Sequence, residues 1–165
     1  MDVPTRAREA DEYFSAVAPA MRRTAYLIVW DWHTAEDMVQ ATFVKLYVAW
    51  PRIHADGLDA YARRTLMNVC LSHLRKHRRE IVSDQIADRV VDGSDSDMDL
   101  TRALALLPPR QRAVVALRYL DDLSVNQVAD ALGMAPGTVK SQTSRALDRL
   151  RAVVPQLELD EGVAG

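Results

Sequence analysis

The sequence has a single cysteine, few aromatic residues and no long apolar run. Cys70 cannot form an intrachain disulfide, which suits a reducing compartment. The longest uninterrupted apolar stretch, residues 25–30, is far shorter than the roughly 20 residues that cross a bilayer as a helix. The N-terminal segment mixes Arg, Asp and Glu and has no signal-peptide core. We therefore expect a cytoplasmic protein without membrane insertion.

Glycine is also scarce, and no stretch alternates apolar and polar residues as a half-buried strand would. There are 6 glycines, and apolar residues instead recur at helical spacing along the chain. The hydrophobic fraction of 48% is enough to form a core. These features predict an all-α protein built from two small helical domains, with a flexible acidic linker between them and a helix-turn-helix in the C-terminal domain.

The formal net charge of −2 conceals a strong local asymmetry. Residues 61–79 contain six Lys or Arg and no acid, whereas residues 80–99 carry a cluster of Asp. Gly, Ser and repeated Asp bury little apolar surface, so this acidic stretch is predicted to be the linker. It separates an N-terminal domain, residues 10–79, from a C-terminal domain, residues 100–152. Residues 1–12 are polar and are expected to fray.

Further helices are predicted from periodicity and from helix-start residues. They cover approximately residues 13–30, 34–50, 59–79, 100–107 and 109–120. Thr34 and Asp59 are the expected caps of the second and third of these helices. The second helix is expected to bury a stripe of Met38, Ala41 or Thr42, Val44 or Lys45, and Tyr47 or Val48.

The stretch from Ser124 to Leu150 carries the clearest motif. Ser124, followed three residues later by Gln127, predicts a reciprocal capping box at a helix start. Gly133 can adopt the left-handed conformation that ends a helix, and Pro136 suits the first turn of the next. Two short helices around such a turn predict a helix-turn-helix, the alternative being an ordinary helical hairpin.

The second helix of this motif has a narrow apolar back and a polar front. Val139, Thr143, Ala146 and Leu150 recur at spacings of four, three and four. The opposite face presents donors that are long enough to reach bases or phosphates: Lys140, Ser141, Ser144 and Arg145. This face is the predicted site of duplex DNA binding.

The basic segment around residues 54–79 is a second candidate site. It combines cations with aromatic and amide side chains, as single-stranded nucleic acid binding requires, in His54, Asp56, Tyr61, Arg64, Asn68, Arg75, Lys76, Arg78 and Arg79. The alternative is a solvated helix end with no ligand. Cys70, His73 and His77 could also share a helix face and bind zinc, but no second Cys pair or adjacent Glu accompanies them. We expect no metal, no cofactor and no catalytic site.

Together, the two halves resemble a sigma factor of the extracytoplasmic-function (ECF) group of bacterial RNA polymerase. TAEDMVQATFVKLYVAW is similar to the helix that docks on the β′ clamp of core polymerase, and AYARRTLMNVCLSHLRKHRR to the segment that opens the −10 promoter element. LPPRQRAVVALRYLDDLSVNQVADALGMAPGTVKSQTSRALDRLR resembles the domain that reads the −35 element. The resemblance implies a protein that binds core polymerase and directs promoter-specific initiation.

The resemblance also implies a role for each candidate residue. Asp37 and Gln40 would contact the polymerase clamp, and residues 51–58 would receive a flipped −10 base beside Asn68. Arg75, Lys76, Arg78 and Arg79 would grip the −10 backbone, and Lys140, Ser141, Ser144 and Arg145 would enter the −35 major groove. Arg110 and Arg112 would contact phosphates or the β flap.

Several positions depart from the family pattern, and two alternative functions accompany this interpretation. Ala41 stands where the family usually has Glu, and Ala135 stands where a capping Ser is common.

The main alternative is a stand-alone helix-turn-helix repressor or activator, which would normally dimerise to span two half-sites. A metal-dependent enzyme would rest only on Cys70, His73 and His77. The family commonly has an anti-sigma partner, and the sequence leaves open whether this chain does.

Overall fold

Residues 2–77 and 95–155 are described by a computed structural model of the chain, with side chains described from residue 100 onward in the second stretch. The helices are α1 (Val3–Val29), α2 (Trp32–Ala49), α3 (Leu58–Lys76), α4 (Asp95–Leu106), α5 (Pro109–Val115), α6 (Val125–Leu132) and α7 (Pro136–Val153). Two 3₁₀ turns, Trp50–Arg52 and Ala55–Gly57, connect α2 to α3. These two stretches contain no β-strand, and the predicted all-α class is confirmed.

Helix α1 begins at Val3, well before residue 13, so the expected fraying is wrong for residues 2–12, and Met1 lies outside the described residues. The Asp2 side chain accepts a hydrogen bond from the Thr5 backbone N–H (3.0 Å), and Pro4 lies in the first turn. Ala10 is buried, and the Arg6 guanidinium lies 4.7 Å from the centre of the Tyr47 ring. Capping and these contacts with α2 order a segment whose composition is polar.

Helix α2 differs from the sequence prediction in its cap and in the face that it buries. Asp31, not Thr34, is the N-cap, and it accepts a hydrogen bond from the Thr34 N–H (2.9 Å). The buried residues are Ala35, Val39, Thr42, Leu46 and Ala49. Val44 and Val48 are exposed, because packing against α1 and α3 selects one of the two apolar stripes that the sequence permits.

Helix α3 begins at Leu58, after an N-cap at Gly57, so Asp59 lies in the first turn and is not the cap. Its carboxylate instead accepts a hydrogen bond from the hydroxyl of Tyr13 on α1 (2.7 Å). The helix buries Leu66, Met67 and other apolar residues, including Cys70, against α1 and α2. The N-terminal unit is therefore a three-helix bundle.

The C-terminal unit follows the sequence prediction closely. The Ser124–Gln127 capping box is formed in both directions, and Gly133 has φ 63° at the end of α6. Ala135 is the N-cap of α7 and provides no side-chain hydrogen bond. Helix α4 starts at Asp95, so residues 95–99 of the expected linker are helical.

The chain leaves α5 through a widened turn. Residues 116–120 form a π-helical turn, in which the Asp121 N–H donates to Ala116 O (3.0 Å). Asp122 then adopts a positive φ of 54°. After this turn the chain reaches Ser124, the N-cap of α6. The turn also places the Asp121 carboxylate next to α1, where it accepts a hydrogen bond from the Thr24 hydroxyl.

The two units pack directly against each other. Helix α6 lies against α3, and α5 lies against α1. A single hydrophobic cluster includes Leu66 and Met67 of α3 together with Val114 of α5 and Val128 of α6. A second cluster, containing Leu107, Leu147 and Leu150, holds α4 and α5 against α7. The helix-turn-helix is therefore docked on the N-terminal bundle through a shared core.

Candidate nucleic-acid interface

A groove lies between the end of α2 and the start of α3. It has a volume of about 520 Å³ and is lined by Ala49, Arg52, Ile53, His54, Asp56, Gly57 and Tyr61. The structure thus brings together three of the predicted −10 residues: His54, Asp56 and Tyr61. Arg52 and Ile53 also line this groove; the sequence prediction included them within the loop 51–58 but did not name them as individual site residues.

Aromatic packing holds the loop that forms this groove. The rings of Phe14 and Phe43 are stacked with centroids 4.3 Å apart, and Trp50 meets Phe14 edge to face at 5.8 Å. Trp50 is also the first residue of the 3₁₀ turn that contains Arg52. The rigid aromatic cluster therefore fixes one wall of the groove to the core of the bundle.

A polar face of α3 continues from the groove. Tyr61, Arg64, Asn68 and Arg75 recur at spacings of three, four and seven, and all four are exposed. Lys76 is exposed at the end of the helix, whereas Arg78 and Arg79 lie outside the described residues. Backbone-gripping cations and base-contacting groups thus share a helix face that opens onto a groove.

Arg64 on this face forms an ion pair with Asp130 of the helix-turn-helix. Its Nη2 atom lies 2.6 Å from Asp130 Oδ1, and its Nε donates weakly to the Asp130 backbone oxygen (3.4 Å). Both side chains remain about half exposed, at 48% and 50%. No sequence pattern indicates this pair, because the two residues are 66 positions apart.

The recognition face of α7 points to solvent. Lys140, Ser141 and Arg145 are exposed, and Ser144 is half-buried. The Ser141 hydroxyl donates to the Thr138 carbonyl (3.0 Å), which ties it to its own helix. The predicted apolar back of α7 is fully buried, so the orientation of the helix is fixed by its core side.

Helix α2 presents a stripe of exposed residues. Asp37 and Gln40, the predicted polymerase contacts, are exposed and are followed along the same face by the half-buried Ala41 and the exposed Val44 and Val48. Val44 and Val48 are 64% and 68% exposed. The two valines give this otherwise polar face an apolar component that no other part of the described chain covers.

Arg112 lies in the interior, which does not fit its predicted contact with phosphate. Its Nη1 donates to the carbonyls of Ala105 (3.2 Å) and Leu107 (2.8 Å), and its Nη2 donates to Ile28 O (2.7 Å). These carbonyls lie at the ends of α4 and α1, where helical N–H partners are missing. Burial lowers the pKa of Arg112 to about 10, so it remains protonated at neutral pH. Arg110, by contrast, is exposed.

Asp121 forms a second polar contact between the units. Both of its carboxylate oxygens accept from the Thr24 hydroxyl, at 2.9 and 3.0 Å. Burial raises the pKa of the Asp121 carboxyl, while the Thr24 hydrogen bond and the charges of Arg63 and Arg23 oppose that rise. The contact joins α1 to the turn that precedes the helix-turn-helix.

The residues of the metal alternative do not form a coordination site. Cys70 is buried in the core, and burial raises the pKa of its thiol to about 12, which disfavours the thiolate that binds metal. The rings of His73 and His77 stack on each other with centroids 4.4 Å apart. Within residues 2–77 and 100–155, no three His, Cys, Asp or Glu side chains are grouped to hold a metal ion.

Comparison with known families assigns both units. The Sigma-70 region 2 family matches residues 13–80, and the Sigma-70 region 4 family matches residues 97–150. The first match covers α2, the groove and α3, and the second covers the helix-turn-helix. The two matches define the class: a sigma factor of the sigma-70 type, which directs RNA polymerase to initiate transcription at promoters. A stand-alone repressor or activator is not favoured, because it would not account for region 2.

Individual relatives narrow this class. The chain is 37% identical to an RNA polymerase sigma-E factor of Streptomyces avermitilis, across 92% of this chain and 88% of the relative. It is 29% identical to the ECF RNA polymerase sigma factor SigM of Mycobacterium tuberculosis, across 89% and 78%. It also matches the structure of the sigma factor RpoE in complex with the anti-sigma factor NepR from Bartonella quintana, with a TM-score of 0.74 and 27% identity, across 92% and 99%. The chain belongs to the extracytoplasmic-function family of sigma factors.

No helix in the described part of the chain has both the length and the apolar character needed to cross a membrane.

Proposed function

We propose that this sigma factor divides its work among three surfaces: the α2 stripe binds core polymerase, the groove and α3 face open the −10 element, and α7 reads the −35 element. The observation that supports the proposal is that one chain presents all of these surfaces. A groove continuous with a basic helix face lies in one unit, and an exposed cationic recognition helix lies in the other. We also propose that the protein acts in the cytoplasm and catalyses no reaction of its own.

The α2 stripe is the proposed contact with the β′ clamp of core polymerase. Asp37 and Gln40 provide polar contacts, and Val44 and Val48 provide apolar surface that is uncovered in the free protein. Ala41, in the place of the family's usual Glu, contributes no charge, so the valines carry more of the contact. Burying two exposed valines in an interface gains free energy in proportion to their apolar area.

A substitution at Val48 tests this contact. Val48→Asp should abolish the binding of core polymerase without unfolding the protein, because the side chain is 68% exposed. Val3→Asp is the matched control, since Val3 is 64% exposed on α1, away from the stripe. Wild-type affinity in the Val48 variant, measured by co-elution with core polymerase, would remove α2 from the interface.

The groove is the proposed receptor for a base flipped out of the −10 element. His54 and Asp56 offer groups that can recognise the edge of a base, Arg52 offers a donor, and Tyr61 offers a flat ring for stacking. Asn68 lies further along the same face, and Arg75, Lys76, Arg78 and Arg79 would follow the DNA backbone. Melting exposes such a base, so binding it stabilises the open promoter.

The exposed face of α7 is the proposed reader of the −35 element. Arg145 can form paired hydrogen bonds to guanine O6 and N7, and Lys140 can reach guanine or phosphate. Ser141 and Ser144 are shorter and can contact only groups close to the helix. Arg110 remains available for a phosphate or for the β flap, whereas Arg112 is occupied internally.

The decisive experiment is transcription with purified core polymerase. The chain should direct specific run-off transcripts, and it should bind −35 duplex weakly in the absence of polymerase. Tight, specific duplex binding without any transcription would contradict the proposal. Because the solved relative was crystallised with an anti-sigma factor, we further propose that such a protein regulates this chain.

A further inference from the structure

One side chain of α1 contacts both ends of the loop that forms the groove. The ring of Tyr13 meets the ring of Trp50 edge to face, with centroids 5.9 Å apart, where the chain leaves α2. The hydroxyl of Tyr13 donates a hydrogen bond to Asp59 Oδ1 (2.7 Å), in the first turn of α3. Residues 51–58, which include most of the groove lining, run between these two contacts.

The hydrogen bonds of the loop itself do not fix its two turns relative to each other. Within the described residues they are local backbone bonds, such as those from Ile53 N–H to Trp50 O (3.2 Å) and from Gly57 N–H to His54 O (2.9 Å). Neither turn has a side-chain cap, and Gly57, the N-cap of α3, has no side chain to provide one. Ile53 also packs on the core, but apolar contact has little directionality. Tyr13 therefore supplies a directed contact between the end of α2 and the start of α3.

Tyr13 is itself held against the bundle. Its ring packs on the hydrophobic core beside Phe14, with the two ring centroids 6.2 Å apart. Burial, together with the hydrogen bond to Asp59 and the charge of that carboxylate, raises the pKa of the Tyr13 hydroxyl, and the charge of Arg63 opposes only part of the rise. The hydroxyl therefore stays protonated at neutral pH and remains a donor to Asp59. Tyr13 is not among the residues that line the groove, so it can influence a bound base only through the loop.

We propose that Tyr13 is a positioning residue for the groove: it holds the turn that contains Arg52 and the first turn of α3 at the separation that a flipped base requires. The inference rests on the proposed function, because it concerns the binding of that base. A groove already held in its binding geometry loses less conformational entropy when the base enters. Tyr13 thus stabilises the open promoter without contacting DNA.

Tyr13→Phe tests this role, because it removes the hydroxyl and keeps the ring that packs on Trp50. Holoenzyme is reconstituted from core polymerase and the variant, and the half-life of its open complex is measured after addition of heparin. We expect a half-life about two- to tenfold shorter than with the wild type, the range that one hydrogen bond supports. Tyr26→Phe is the matched control, since it removes a hydroxyl from the same helix about 20 Å away, where the ring stacks on Trp32. It should change the half-life by less than twofold.

Removal of individual bases separates positioning from a general loss of stability. Promoters are prepared with an abasic site at each position of the non-template −10 strand in turn, and the wild type should lose most half-life at the position whose base enters the groove. With that base absent, Tyr13→Phe and the wild type should differ by less than twofold. An equal deficit on intact and abasic promoters would overturn the proposal, because a merely less stable protein would fail on both.

Two substitutions of Asp59 test the contact itself. Asp59→Asn and Asp59→Ala remove the same charge, but only asparagine keeps an oxygen that can accept from Tyr13. The Asn variant should therefore retain a half-life about two- to tenfold longer than that of the Ala variant. In a Tyr13→Phe background the two half-lives should be equal, and a difference that persists there would contradict the proposed role.

Run-off transcription by the wild type is measured in parallel. Its absence would refute the proposed function and the role of Tyr13 with it. Specific transcription, with Tyr13→Phe indistinguishable from the wild type on the intact promoter, would refute the role of Tyr13 alone.

Discussion

Replacing Arg112 with methionine removes a buried guanidinium while keeping an unbranched side chain of related shape. The guanidinium satisfies three carbonyls: Ala105 O and Leu107 O at the end of α4, and Ile28 O at the end of α1. None of these oxygens has a helical N–H partner, because each lies in the last turn of its helix or just beyond it. The substitution therefore leaves three acceptors without their donor at the junction of the two units.

The expected cost follows from these orphaned acceptors. A buried acceptor that loses its partner costs about 1–3 kcal/mol. The low end of this range applies to each acceptor, because the methionine variant no longer buries a charged group. In the wild type, burial of the charged guanidinium is unfavourable and lowers the pKa of Arg112 to about 10. We expect Arg112→Met to reduce the free energy of unfolding by about 3 kcal/mol.

Urea denaturation followed by circular dichroism measures this loss. Arg110→Met is the matched control: it changes the same residue type two positions away, but at an exposed site, and should alter stability by no more than about 0.5 kcal/mol. Equal stability of the two variants would show that the Arg112 guanidinium is not buried in solution. A loss of −35 affinity at unchanged stability would instead support the phosphate contact suggested by the sequence.

Three further predictions concern individual residues. Ala135→Ser should stabilise the protein by about 1 kcal/mol in thermal unfolding, because α7 lacks a side-chain cap; an unchanged or lower stability would refute this reasoning. Arg145→Ala should cost about 1–3 kcal/mol at one −35 base pair in holoenzyme binding to promoter variants, whereas an equal loss on every promoter would make Arg145 a backbone contact. Cys70 is buried and its pKa is raised to about 12, so it should react much more slowly than an exposed thiol with an alkylating reagent at pH 8 until the protein is unfolded. Rapid labelling of the native protein would show that the core around Cys70 opens.

The sequence by itself determined the local architecture of the C-terminal unit. The Ser124–Gln127 capping box, the left-handed Gly133 and the uncapped Ala135 all depend on residues within a few positions of one another. Their conformations follow from steric and hydrogen-bonding preferences that do not require the rest of the fold. The same holds for the buried back of α7, where one apolar stripe dominates.

Elsewhere the sequence was compatible with more than one buried helix face and with either an ordered or a frayed N-terminus. Helix α2 has apolar residues on more than one side, and only contact with α1 and α3 decides that Leu46 is buried while Val44 and Val48 are exposed. Residues 2–12 are polar in composition, but the Asp2 cap and the contact of Arg6 with Tyr47 order them. Periodicity reports which residues are apolar, not which partner will cover them.

Only the tertiary structure decided how the two units are placed and which side chains contact each other between them. Arg112 reaches a carbonyl 84 residues away, and Arg64 pairs with Asp130 across 66 residues. Composition places arginine at the surface, and a buried arginine is tolerated only where several acceptors converge. The ends of α1 and α4, which are distant in sequence, provide that convergence, and it exists only once the chain has folded.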